Sequence, residues 1–125
     1  MELPQGLQKI FEEKTLRLKN EFHQLNCCKN EISDFEKLRD CVTKAKILIN
    51  HYQDIYFKFI EQSKLYSMLE ELKFKKQDYI TKCFDFNDIP DDVDIVKLQE
   101  CLKKACEYIT KFEDLLGELG FPDFK

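Results

Sequence analysis

His23 and Cys27 stand four residues apart, a spacing that sets an imidazole and a thiol side by side on one helix face. Two such groups are the beginning of a zinc site, but a structural site needs four ligands and a catalytic one three plus water. The chain carries no CxxC and no further histidine at ligand spacing beside them, so no metal site is expected. The pair reads as a surface histidine and a flanking thiol, with Leu16 on the same face marking the edge of a second packing surface.

A nucleophilic cysteine with a histidine base is also formally available in Cys41 and His51. Ten residues of helix separate two groups by about 15 Å along the axis, too far for a base to take a thiol proton. Cys41 lies among Leu38, Val42 and Ala45, which favours plain core packing. Asp85-Phe86-Asn87 opens like a calcium loop. Ile89 then falls where an oxygen ligand belongs, Pro90 where glycine must turn the chain, and Val96 where the closing glutamate belongs, so no calcium is expected there. Three glycines in 125 residues leave no phosphate-binding loop. No catalytic or cofactor-binding residue is assigned, and neither an enzyme nor a small-molecule substrate is expected.

What must position these residues is helical. From Leu7 to Ile89 no glycine or proline occurs, and these are the residues that cost most inside a helix, about 1 and 3 kcal/mol relative to alanine. Leu7, Phe11, Leu18, Phe22 and Leu25 share one face. Leu38, Cys41, Val42, Ala45, Ile49, Tyr52 and Ile55 share another, rotated roughly 150° from the first if the helix were continuous. One helix cannot present opposite faces to one core, so the chain turns between them, at the capping pattern Ser33-Asp34-Phe35-Glu36. The stripe of Leu65, Leu69, Leu72, Tyr79, Ile80 and Cys83 is again out of phase. Ser63, or Ser67 in Ser67-Met68-Leu69-Glu70, is the candidate cap there.

Asp85 to Asp92 surround Pro90 with turn formers, and Asp91 or Asp92 is the expected cap of the last helix. That helix is the most regular. Leu98, Cys101, Leu102, Ala105, Ile109, Phe112, Leu116 and Leu119 hold its apolar face, and Gly117, Gly120 and Pro122 end it.

The spacing therefore predicts an all-α protein of one domain, residues 1–125, with helices at about 7–29, 33–60, 64–84 and 92–118. Short connections favour a mostly antiparallel four-helix bundle. The alternative is an elongated helical hairpin or coiled coil that dimerises, although Lys14, Glu21, Arg39 and Lys46 would interrupt strict heptads.

Net charge is −4, and only Arg17 and Arg39 among twenty basic residues are arginine, a poor set for phosphate and base recognition. No nucleic-acid partner is expected. No apolar run approaches the roughly 20 residues a membrane span needs, and Met1-Glu2-Leu3-Pro4 has neither part of a secretory signal. Cys27, Cys28, Cys41, Cys83, Cys101 and Cys106 fall largely on apolar faces, where free cysteine acts as a small hydrophobe. They are expected to be reduced, in a cytoplasmic or nuclear protein.

Sixteen aromatics exceed what one stripe per helix buries. Tyr56 and Phe57 depart from the main face of their helix, Phe74 lies opposite its own stripe within the basic run Lys73-Phe74-Lys75-Lys76, and Phe86, Phe121 and Phe124 fall in loop and tail. Tyr56, Phe57, Phe74 and Phe86 are the candidate partner-binding residues. The expected function is a non-catalytic helical protein–protein interaction domain, an adaptor, scaffold or complex subunit able to self-associate. The alternatives are a thiol- or metal-dependent enzyme or sensor built on His23, Cys27 and Cys28, and a nucleic-acid-associated module using the face from Lys73 to Lys82.

Overall fold

The computed structural model describes residues 5–25, 27–28, 32–83, 93–121 and 124. They form five helices, α1 (Gln5–Leu25), α2 (Phe35–Ser63), α3 (Ser67–Glu70), α4 (Lys73–Cys83) and α5 (Ile95–Glu118), and no strand occurs among them. The protein is all-helical, as the apolar spacing predicts.

α2 starts at a cap one residue later than the capping pattern suggests. Asp34, not Ser33, sits in extended backbone and accepts hydrogen bonds from the backbone N–H groups of Glu36 and Lys37, satisfying donors that the first turn leaves without helical partners. α5 is capped the same way by Asp94, which accepts from Val96 N–H at 2.9 Å. Asp91 and Asp92, the expected caps, lie outside the described residues.

A single helix over 64–84 is not what forms. α2 runs on to Ser63 and closes through Lys64, whose φ of 62° is left-handed and whose N–H donates to Ile60 O. The single turn α3 follows, with no side-chain cap from Ser67 and no buried residue. Leu72 alone of this stretch is fully inserted in the core, and α4 begins directly after it. Leu65 and Ile80, expected on the buried stripe, are exposed. α3 ends at Glu70 and α4 starts afresh at Lys73, so the residues on either side of that interruption do not share the phase of one continuous helix.

The helices pack in a defined order: α2 against α1, α3 and α5, and α4 against α5. Phe11 meets Phe59 while Cys27 reaches Cys41, so α1 and α2 run antiparallel. Gln53 meets Tyr108, Tyr52 meets Phe112 and Phe59 meets Phe121, so α2 and α5 run parallel. Lys75 pairs with Glu107 and Lys82 with Glu100, which makes α4 antiparallel to α5. α5 therefore has neighbours on two sides. Its burial extends past the single expected stripe to Cys106, Tyr108 and Leu115.

The end of α5 carries Phe121 inward. Gly120 takes a φ of 92°, its N–H donates to Gly117 O and that of Phe121 donates to Leu116 O, the paired bonds of a Schellman turn. Phe121, expected in an outward tail, is thereby buried with its ring 5.1 Å from that of Phe59. Phe124 is half-buried, with Lys19 Nζ 5.4 Å from its ring centre.

The cysteines depart furthest from expectation. All six are oxidised, as Cys27–Cys41, Cys28–Cys106 and Cys83–Cys101, with Cα separations of 6.0, 6.0 and 5.2 Å, inside the range a disulfide spans. The reason lies in packing. Apolar faces that meet bring their cysteines together: Cys83 at the end of α4 faces Cys101 near the start of antiparallel α5. Cys27, just past α1, likewise faces Cys41 in the first turns of antiparallel α2. Reduced, passive thiols are ruled out in this structure, and the expected cytoplasmic or nuclear setting loses the observation on which it rested.

Candidate interaction surface

The surface begins where α2 ends. Phe57 projects from the last two turns of α2 and is 36% exposed. Lys76, from α4, places its Nζ 5.5 Å from the ring centre of Phe57, within the reach of a cation–π contact. Phe57 and Lys76 line a shallow depression of about 240 Å3, together with Leu69, Glu70, Leu72 and Lys73. Its apolar floor is thus made by Phe57 of α2, Leu69 of α3 and Leu72 in the turn before α4, with Lys73 and Lys76 of α4 beside it.

Phe74 follows Lys73 on α4 but turns away from the depression, and at 80% exposure it is the most exposed large apolar side chain among the described residues. Leu65 and Tyr66, in the turn after α2, are exposed as well. Phe57, Leu65, Tyr66 and Phe74 therefore all lie on the segment from the end of α2 to the start of α4, where apolar side chains remain in water.

Tyr56, expected among the partner-binding residues, does not belong to this surface. It is 1% exposed, packs edge-on against Phe112 and donates a hydrogen bond to Met68 O at 3.1 Å. Its neighbour Phe57 is one step of 100° further round the helix, which is enough to take one ring inward and the other out. Burial raises the Tyr56 phenol well above its usual range. Phe86 lies outside the described residues.

The basic run beside Phe74 is partly engaged within the chain. Lys75 pairs with Glu107 at 3.7 Å and Lys82 with Glu100 at 3.3 Å, leaving Lys73 and Lys76 at the depression. Glu70, on its rim, supplies the opposite charge.

The thiol and metal candidates are placed elsewhere. His23 Nε2 lies 3.6 Å from Glu113 Oε2, tying α1 to α5. Burial raises the Glu113 carboxyl above its ordinary value, a shift that His23 and Lys19 oppose. The sulfurs of Cys27 and Cys28 are both in disulfides, and a disulfide sulfur is neither the thiolate ligand nor the thiolate nucleophile that such chemistry requires. Cys41 is likewise bonded, and His51 is exposed on α2. Among the described residues no three His, Cys, Asp or Glu side chains gather as a metal site, and no helix is long and apolar enough to cross a membrane.

No family model, curated protein or solved structure matches the chain.

The cysteine pairs are the features that sequence reasoning missed. The signal available was their placement at matching ends of neighbouring stripes, Cys83 closing one and Cys101 lying one turn into the next. Tyr52 was also unmarked: its hydroxyl is buried with no hydrogen-bond partner among the described groups.

Proposed function

We propose that the chain is a non-catalytic protein–protein interaction domain, a four-helix bundle with α3 and α4 as its third limb, acting as an adaptor, scaffold or subunit of a larger assembly. The partner engages the surface formed by Phe57 and Phe74. One observation carries this reading: an 80%-exposed phenylalanine on a helix held at both ends, by Leu72 in the core and by the Cys83–Cys101 bridge. A large apolar ring left in water costs free energy that a partner recovers, and aromatic anchors on rigid supports are common centres of binding energy.

The working compartment in this proposal is an oxidising one, because three disulfides persist only where thiol reductants do not dominate. That replaces a cytoplasmic or nuclear setting. A thiol-dependent sensor built on His23, Cys27 and Cys28 has no free thiol to work with. A nucleic-acid module is disfavoured by the engagement of Lys75 and Lys82 with glutamates of α5.

Phe57→Asp and Phe74→Asp test the proposal. Phe74→Asp should change stability by no more than about 0.5 kcal/mol, and each variant should weaken self-association, read by sedimentation, or binding to a purified partner. Folded variants with undiminished association place the interface elsewhere.

A further inference from the structure

We infer that the partner enters the depression between α2 and α4 through an acidic protein segment, one large apolar side chain filling the depression while a flanking carboxylate pairs with Lys73 and Lys76. This rests on the proposed interaction surface and names the chemistry of its partner. At about 240 Å3 the depression is smaller than the roughly 300 to 1,000 Å3 of sites that enclose a whole small ligand, and it suits a single large side chain. Phe57, Leu69 and Leu72 make it apolar, so an aliphatic or aromatic side chain gains most from entering.

Charge selects what stands beside that side chain. Of the four lysines of α4, Lys75 and Lys82 are paired with Glu107 and Glu100 of α5. Lys73 and Lys76 have no carboxylate partner among the described residues, and these are the two that line the depression. Glu70, on the same rim, offsets one of the two charges. Lys76 Nζ lies 5.5 Å from the ring centre of Phe57, a contact that holds the ammonium at the apolar floor and leaves N–H donors for a further acceptor.

A carboxylate next to the inserted side chain meets both ammonium groups beside apolar surface, where an ion pair is screened less than in open water. A basic segment brings like charges together at the same place, and that repulsion excludes it. The apolar side chain supplies the burial and the two lysines supply the selection. Phe74, on the same helix but turned away from the depression, is the second contact of the surface.

The test is fluorescence anisotropy of the whole protein with the labelled peptide Glu-Asp-Phe-Leu-Asp-Glu, its basic counterpart Lys-Lys-Phe-Leu-Lys-Lys, and Glu-Asp-Ser-Ser-Asp-Glu, which lacks the apolar pair. The first should bind about tenfold more tightly than either of the others. Lys73 is exposed and Lys76 half-buried; the double variant K73E/K76E should reverse the preference between acidic and basic peptides, and K73Q/K76Q, which introduces no new charge, should abolish it. K103E, at an exposed residue of α5, should leave it unchanged. Equal affinity for the three peptides, no binding up to about 1 mM, a preference that survives in K73Q/K76Q, or equal competition by duplex DNA would each overturn the inference. A dimer of the protein alone that K73Q/K76Q dissolves would assign the depression to a second copy and overturn it as well. If the acidic peptide fails while Phe74→Asp still weakens association, the interaction surface stands with a partner of other chemistry; undiminished association of Phe74→Asp removes the surface itself.

Discussion

Tyr52 of α2 and Phe112 of α5 stack nearly parallel, their ring centres 5.6 Å apart and their planes 9° from one another. Tyr56 and Tyr108 close on the same phenylalanine at 5.5 and 4.7 Å. Phe112 thus joins aromatic residues of both central helices, and it is fully buried. Phe112→Ala should lower the unfolding free energy by about 3 to 5 kcal/mol, since the surrounding rings are held by their own helices and cannot collapse into the space. Denaturant unfolding checks this, and a loss below about 1 kcal/mol would show that the two helices do not meet there.

Tyr52 presents the opposite case on the same stack. Its ring packs well, but its hydroxyl is buried without a hydrogen-bond partner among the described groups, a desolvation cost of about 1 to 3 kcal/mol. Tyr52→Phe keeps the stacking and removes that cost. The expected outcome is unchanged or higher stability, by up to about 1 kcal/mol, in place of the loss usual for a core substitution. A clear loss by thermal or denaturant unfolding would mean that the hydroxyl has a partner.

The buried tyrosines also set a pH dependence. Burial pushes the Tyr79 phenol up to about 12, aided by Tyr108, from an ordinary 10.0. Burial likewise raises Tyr52, Tyr56 and Tyr108, the last partly offset by the hydrogen bond that Gln53 donates at 2.9 Å. The unfolded chain releases these protons at lower pH than the folded one. Stability contributed by the neutral phenols is therefore complete below pH 10.0 and lost as pH climbs through 10.0 toward 12. Tyrosinate absorbance and helical circular dichroism should change together across that interval. Ionisation completed near pH 10.0 with helix retained would contradict the burial of these rings.

Much of this was legible in the sequence where periodicity was long and caps were local. Every residue of the expected α5 face is buried apart from the half-buried Leu119, because a regular 3.6-residue repeat over more than five turns fixes one face without help from tertiary contacts. Residues 64–72 were illegible for the complementary reason. A turn just before residue 64 was expected from the phase of the stripes, but the interruption at Glu71 and Leu72 that separates α3 from α4 is marked by no glycine or proline. Tyr56 and Phe57 show how narrow the margin is at a helix edge, since adjacent rings on α2 end in core and solvent. The cysteines were legible as core residues, and Cys83, Cys101 and Cys41 are indeed buried. Their pairing was not, because free and bridged cysteines occupy the same apolar stripe positions, and which stripes face one another is a tertiary fact.

In the proposed function Phe74 meets a partner, and a photoreactive phenylalanine analogue placed at that position reads this contact without an intermediary. The control is the same analogue at Asn50, an exposed residue of α2 outside the proposed surface. Irradiation in an extract of the source cells should give one discrete protein adduct from position 74 and none from position 50. Excess unlabelled wild-type protein should compete the adduct away, and the Phe74→Asp variant should not. No adduct at position 74, or one that Phe74→Asp competes as well as wild type, would rule out a partner contact through Phe74.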